Sequence, residues 1–96
     1  MSKPRELWWG YVKNVLRAYP DYRRGGAKLR SAVERAMKET RNLPNGEWRC
    51  AIIEKVYFRE SHTLVGAARC CHVSYGAAKE WHGEFVRLVA KHLGLL

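Results

Sequence analysis

Apolar residues recur along this chain at helical spacing and nowhere alternate as a half-buried strand would. Pro4 suits the first turn of a helix, where its missing N–H would be unpaired anyway. From there Leu7/Trp8, Tyr11/Val12, Val15/Leu16 and Tyr19 come round in step until Pro20. The stretch from Asp21 to Gly26, with its Gly25-Gly26 pair, predicts a loop. Leu29, Ala32, Val33, Ala36 and Met37 then draw a second apolar stripe, with Lys28, Arg30, Arg35, Lys38 and Arg41 on the other side. Asn42-Leu43-Pro44-Asn45-Gly46 breaks the pattern. Glu47 to Arg59 predicts a third helix with Trp48, Ile52, Ile53 and Val56/Tyr57 inward, and two further helices follow, split at His72-Val73-Ser74. The expected fold is all-α, a small helical domain of about five helices.

The last split is the informative one. Thr63 can cap a helix from Leu64, and Ser74 a longer one, each hydroxyl accepting a first-turn N–H. Cys71-His72-Val73-Ser74 is short enough to make the two helices meet steeply. A small residue is needed where they cross, and Ala68 supplies it. Val73 can plug the angle, while Ala78 and Trp81 face inward from the second helix. His72 falls where a left-handed backbone is expected, which His tolerates better than most residues. Together these read as a helix-turn-helix whose second helix, residues 75–91, enters a major groove. Its inward side is expected to carry Ala78, Trp81, Phe85, Leu88 and Val89; its outward side, Gly76, Lys79, Glu80, Gly83 and Arg87. On that reading Lys79 donates to guanine edges, Glu80 accepts from cytosine, and Tyr75 meets a thymine methyl or a phosphate. Thr63, Arg69, Ser74 and Arg87 hold phosphates, which position the protein without reading sequence.

Charge supports a polyanionic partner. Eighteen Lys and Arg against nine Asp and Glu give +9, with a pI near 9.9. Its distribution poses a puzzle: residues 1–46 hold eleven basic and four acidic groups, net +7, whereas residues 47–96 hold seven and five, net +2. The more basic half is not the one with the reading helix. We expect one domain over residues 1–96, with a basic N-terminal helical part (1–46) and a helix-turn-helix part (47–96). No apolar run reaches bilayer length, and the N-terminus lacks the pattern of a secretory leader, so the expected place is the cytoplasm. Three cysteines, two of them adjacent, suit a reducing compartment.

Cys70-Cys71-His72 is the one stretch that suggests chemistry. Structural zinc sites use ligand pairs two to four residues apart with a second pair elsewhere, and neither is present. Adjacent residues on a helix point about 100° apart and cannot converge. We therefore expect Cys71 as core, Cys70 partly exposed, and no metal, cofactor or catalytic residue. The ten-residue spacing of His62, His72, His82 and His92 has no evident meaning.

The run IIEKVYFRESHTLVGAARCCHVSYGAAKEWHGEFVRLVAKHLGL resembles the C-terminal helix-turn-helix of sigma-like phage regulators. The similarity lies in its "VYF" helix ending, "TL" opening, "VS" turn and "FVRLVAKHLGL" close. The nearest group is the RinA/ArpU phage late-gene transcription regulators, and LWWGYVKNVLRAYPDY loosely resembles their opening helix. The resemblance implies a phage or prophage transcription regulator in a bacterial host, with RNA polymerase as a second partner. It implies DNA-reading roles for Ser74, Tyr75, Gly76, Lys79, Glu80 and Gly83. Two other binding roles stand beside it, a phage terminase small subunit and an RNA polymerase-binding adaptor. Trp8-Trp9 admits either one exposed ring completing a homodimer or partner contact or both packed near residues 48–58 and 81–85. A dimer would set two reading helices ~34 Å apart.

Overall fold

The computed structural model describes residues 8–19 and 26–95. Within them run α1 (Trp8–Ala18), α2 (Gly26–Arg41), α3 (Gly46–Ile53), a π-helical turn (Glu54–Phe58), α4 (Leu64–Cys70) and α5 (Tyr75–His92). The fold is all-α, with no strand among the described residues. The helix start at Pro4 and Leu7, the stop at Pro20 and residues 21–25 of the expected loop lie outside them; Gly26, expected in that loop, instead opens α2.

α1 buries Val12, Val15 and Leu16. Trp8 and Trp9 straddle that stripe about 100° apart, and both are half-buried against the main core. Tyr11, expected on the stripe, is 50% exposed because the buried arc closes around Val12. α2 buries Ala32, Val33, Ala36 and Thr40, with Leu29 and Met37 at the margins. Its join to α3 is tight. Asn45 takes a left-handed φ of 61°, the Gly46 N–H donates to the Leu43 carbonyl at 2.9 Å, and Gly46 lies against the carbonyl of Arg41.

Two expectations for the third helix need correction. Trp48 does not face inward but is 51% exposed. Arg49, about 100° further round, takes the direction toward α5 instead. Its guanidinium donates to the Pro44 carbonyl at 2.9 Å, pairs with Glu84 and lies 5.2 Å over the Trp81 ring. The helix also changes pitch before Arg59. The Arg59 N–H donates to the Glu54 carbonyl at 2.8 Å, the i→i−5 bond of a π turn. Glu60 then turns left-handed (φ 49°), and the N–H groups of Ser61 and His62 both donate to Lys55.

The π turn delivers Tyr57 into the core, 1% exposed, where its hydroxyl and His82 share a hydrogen bond and their rings stack at 5.6 Å. A buried hydroxyl needs such a partner, because an unmet one costs about 1–3 kcal/mol.

α5 organises the packing. Phe85, Val86, Val89 and Ala90 join Val12, Leu16, Val33, Ile53 and Tyr57 in the main cluster. Nearer its start, Ala78 joins Ile52, Ala67, Ala68 and Cys71 in a second, with Val56 against both. Each buried Phe or Val contributes about 1.5–3 kcal/mol. α5 is thus held along most of its length by buried area, leaving one side of its first turns free.

Candidate nucleic-acid interface

α4 starts where Thr63 accepts the Gly66 N–H on Oγ1 at 3.1 Å, and α5 where Ser74 accepts the Ala77 N–H at 3.1 Å. Both caps use a lone pair, so each exposed hydroxyl keeps its proton to donate outward. Between them, α4 ends in a reciprocal pair of bonds. The Val73 N–H reaches the Ala68 carbonyl at 2.9 Å, and the His72 N–H the Arg69 carbonyl at 3.1 Å. This closure requires a left-handed residue between, normally glycine; His72 provides it with φ 56°. Val73 then packs against the cluster that holds Ala68, Cys71 and Ala78, as a plug in the angle should.

Ser74, Tyr75, Gly76, Lys79, Glu80 and Arg87 are all exposed along α5, and Thr63 and Arg69 are exposed on α4. Nothing lies within 4 Å of a Cβ placed on Gly76, so its backbone is open to close approach. Gly83 is different. Expected to face outward, it is buried, with Trp9 over it and Arg87 beside it: a Cβ there would sit 3.9 Å from the Trp9 ring and 3.5 Å from the Arg87 guanidinium. α1 covers this side of α5 from the third turn onward, so Gly83 sits at the covered end of the open side. What remains open is the first two turns, with Arg87 beyond them.

Of the two readings of Trp8-Trp9, Trp9 takes the packed one, against His82 and Gly83; that this also puts it in one groove with Lys79 and Glu80 was not expected. An open groove of ≈ 470 Å³ runs along α5, with Trp9, Gly83 and Arg87 at one end and Gly76, Lys79 and Glu80 at the other. The Arg87 guanidinium lies 5.8 Å over the Trp9 ring, and Trp9 meets His82 edge-on at 6.2 Å. Cation–π contact with α1 therefore aims Arg87 along the open side. Glu84 also borders the groove, but its carboxylate is engaged by Arg49.

No protein-family model, curated protein or solved structure matches the chain.

The cysteines sit apart from this surface. Cys50 and Cys71 are buried and Cys70 is exposed. Burial pushes the Cys50 and Cys71 thiols above the ordinary 9.0, with Arg41 and Lys55 respectively pulling back without reversing it. Among the described residues no three His, Cys, Asp or Glu side chains gather as a metal would require. The histidines are dispersed: His62 bonds Ser61, His82 meets Tyr57, His92 lies 3.1 Å from Glu39, and His72 makes the turn. We predict that a thiol reagent modifies one cysteine, Cys70, rapidly in the native protein and the other two only on unfolding. Well below pH 9.0 the buried thiols are protonated in both states. Above it the unfolded chain ionises first, so stability falls as pH rises. A shallower alkaline slope is expected in a Cys50→Ala, Cys71→Ala variant, as read by denaturant titration.

Proposed function

We propose that this chain binds double-stranded DNA and reads the major groove with the opening turns of α5. One observation carries the reading. Two hydroxyl-capped helices meet at a left-handed turn, and α5 leaves Tyr75, Gly76, Lys79 and Glu80 uncovered while its other sides are anchored in two cores. A helix that enters a groove makes its base contacts near its N-terminus. Lys79 and Glu80 supply a donor and an acceptor for base edges. Thr63, Arg69, Ser74 and Arg87 supply phosphate contacts from both helices. No helix among the described residues is long and apolar enough to cross a membrane.

The resemblance to RinA/ArpU-type regulators makes transcription control of a phage or prophage operon, in the bacterial cytoplasm, the role we assign. RNA polymerase and a second copy of the chain are the further partners this role expects.

The two glycines of α5 give a clean test. Alanine at Gly83 meets only ordinary contacts and should raise stability by ~0.5–1 kcal/mol while leaving DNA affinity unchanged. Alanine at Gly76 has more room still and should not destabilise the fold, yet it should weaken binding roughly ten-fold, the scale of one lost base contact. Binding to the host element's promoter DNA, measured by fluorescence anisotropy, decides the matter. Equal affinities for the two variants would sink the assignment.

A further inference from the structure

The uneven charge has no account in the α5 surface. Lys79, Glu80, Glu84, Arg87 and Lys91 sum to +1 there, whereas the five Lys and Arg and two Glu of α2 sum to +3. The arrangement on α2 is specific. Lys28, Ser31, Arg35 and Lys38 follow at i, i+3, i+7 and i+10, one seam about 15 Å long whose members all carry hydrogen-bond donors, with Asn42 in the turn just beyond the helix. Lys28, Arg35, Lys38 and Asn42 are exposed and Ser31 is partly so. Both acidic residues of the helix are engaged elsewhere, Glu34 with Arg30 at 3.3 Å and Glu39 with His92 at 3.1 Å.

Helix stability does not require this pattern. Cations near a C-terminus favour the helix dipole, which accounts for Lys38 and Arg41. The same dipole disfavours Lys28 in the first turn, where no acidic residue stands to offset it. A polyanion laid along the seam offsets Lys28 at the positive end of the dipole and meets the cations Arg35 and Lys38 further along.

The seam is turned about 135° from the centre of the α2 face formed by Ala32, Val33, Ala36 and Thr40. α2 meets α5 at His92, about 120–160° around α5 from Gly76, Lys79, Glu80 and Arg87. The two polar surfaces therefore look away from each other across a body whose shortest dimension is 24 Å.

We propose that the α2 seam is a second nucleic-acid surface, which holds the phosphates of a separate duplex segment without reading sequence, so that one chain bridges two stretches of DNA. This rests on α5 holding the first.

The test immobilises a promoter duplex, adds the full chain, and measures capture of a labelled duplex of unrelated sequence. Wild type should capture it. The triple variant Lys28→Ala, Arg35→Ala, Lys38→Ala should lose capture at least ten-fold, keep its helical circular dichroism and bind the promoter duplex within about three-fold. The salt dependence of second-duplex capture identifies the contact, since each lost phosphate contact lowers its log–log slope by about 0.9. A milder variant, Arg35→Gln alone, covers any folding loss and should lower that slope by about one.

Wild type that binds the promoter duplex but captures nothing overturns the bridge and leaves the α5 reading standing. Capture unchanged in the triple variant overturns it too, and assigns bridging to a dimer of α5 surfaces. Retention on immobilised polyglutamate that the triple variant abolishes, with capture unaffected, assigns the seam to an acidic protein instead. Loss of all DNA binding in the triple variant, with Lys79→Ala without effect, makes α2 the primary surface and fails the α5 reading.

Discussion

Replacing Gly46 by alanine is expected to lower stability by about 3 kcal/mol, the upper end of what overpacking costs. An ideal Cβ at this position would lie 2.1 Å from the Arg41 carbonyl oxygen and 2.5 Å from its carbon. Those atoms belong to the backbone at the end of α2, so no rotamer change relieves the clash; α2 and α3 must separate. The contacts that depend on their closeness would loosen together, including Arg49 to Pro44 and Cys50 to the Met37 carbonyl at 3.8 Å. In a domain of this size about 3 kcal/mol corresponds to a fall of roughly 12–24 °C in melting temperature. Gly10 is the control. It is exposed on α1 with nothing within 4 Å of a Cβ, so Gly10→Ala should be stabilising by ~0.5–1 kcal/mol. Thermal melts by circular dichroism separate the two, and a Gly46→Ala melt within a few degrees of wild type would contradict the α2–α3 join described above.

That glycine stands inside a stretch the sequence marks only as an interruption, and this shows where pattern reading stops. Capping and turn signals were legible because they are local. Thr63, Ser74 and the left-handed His72 each act within a few residues of themselves, and each falls where the letters place it. The inward stripe of α2 was legible for the same reason. Gly83 was misplaced because its neighbour is Trp9, seventy-four residues earlier in the chain. A signal was present all the same. Gly83, Val86 and Ala90 fall at i, i+3 and i+7, a second buried side to α5 that a single projected face hides. Trp48 was misplaced because periodicity ranks residues by apolarity, whereas a guanidinium with a carbonyl, a carboxylate and an indole to meet took the inward direction. The π turn left no mark in the pattern, since five residues of wider helix shift the stripe by less than its own width. None of the three touches the open side of the first turns of α5, which no helix covers and where local reading suffices.

Those turns carry the prediction with the largest effect on binding. Lys79→Ala and Glu80→Ala should each weaken sequence-specific DNA binding by about 1–3 kcal/mol, roughly ten- to hundred-fold, the range of a good base contact. Their effects should differ in kind. Lys79 is a cation, so its loss lowers affinity for every duplex through one phosphate-scale contribution as well as for the specific site. Glu80 repels phosphate and contributes only when it faces a cytosine amino group, so Glu80→Ala should relax discrimination while leaving non-specific affinity equal or slightly higher. Both side chains are exposed, and neither belongs to either core, so the fold should persist in each variant. Titration of each against the promoter site and a scrambled duplex, at two salt concentrations, resolves affinity from specificity. If both variants keep the wild-type ratio between the two duplexes, α5 does not read bases. Charge alone would then explain the binding, and the exposed start of α5 would need another purpose.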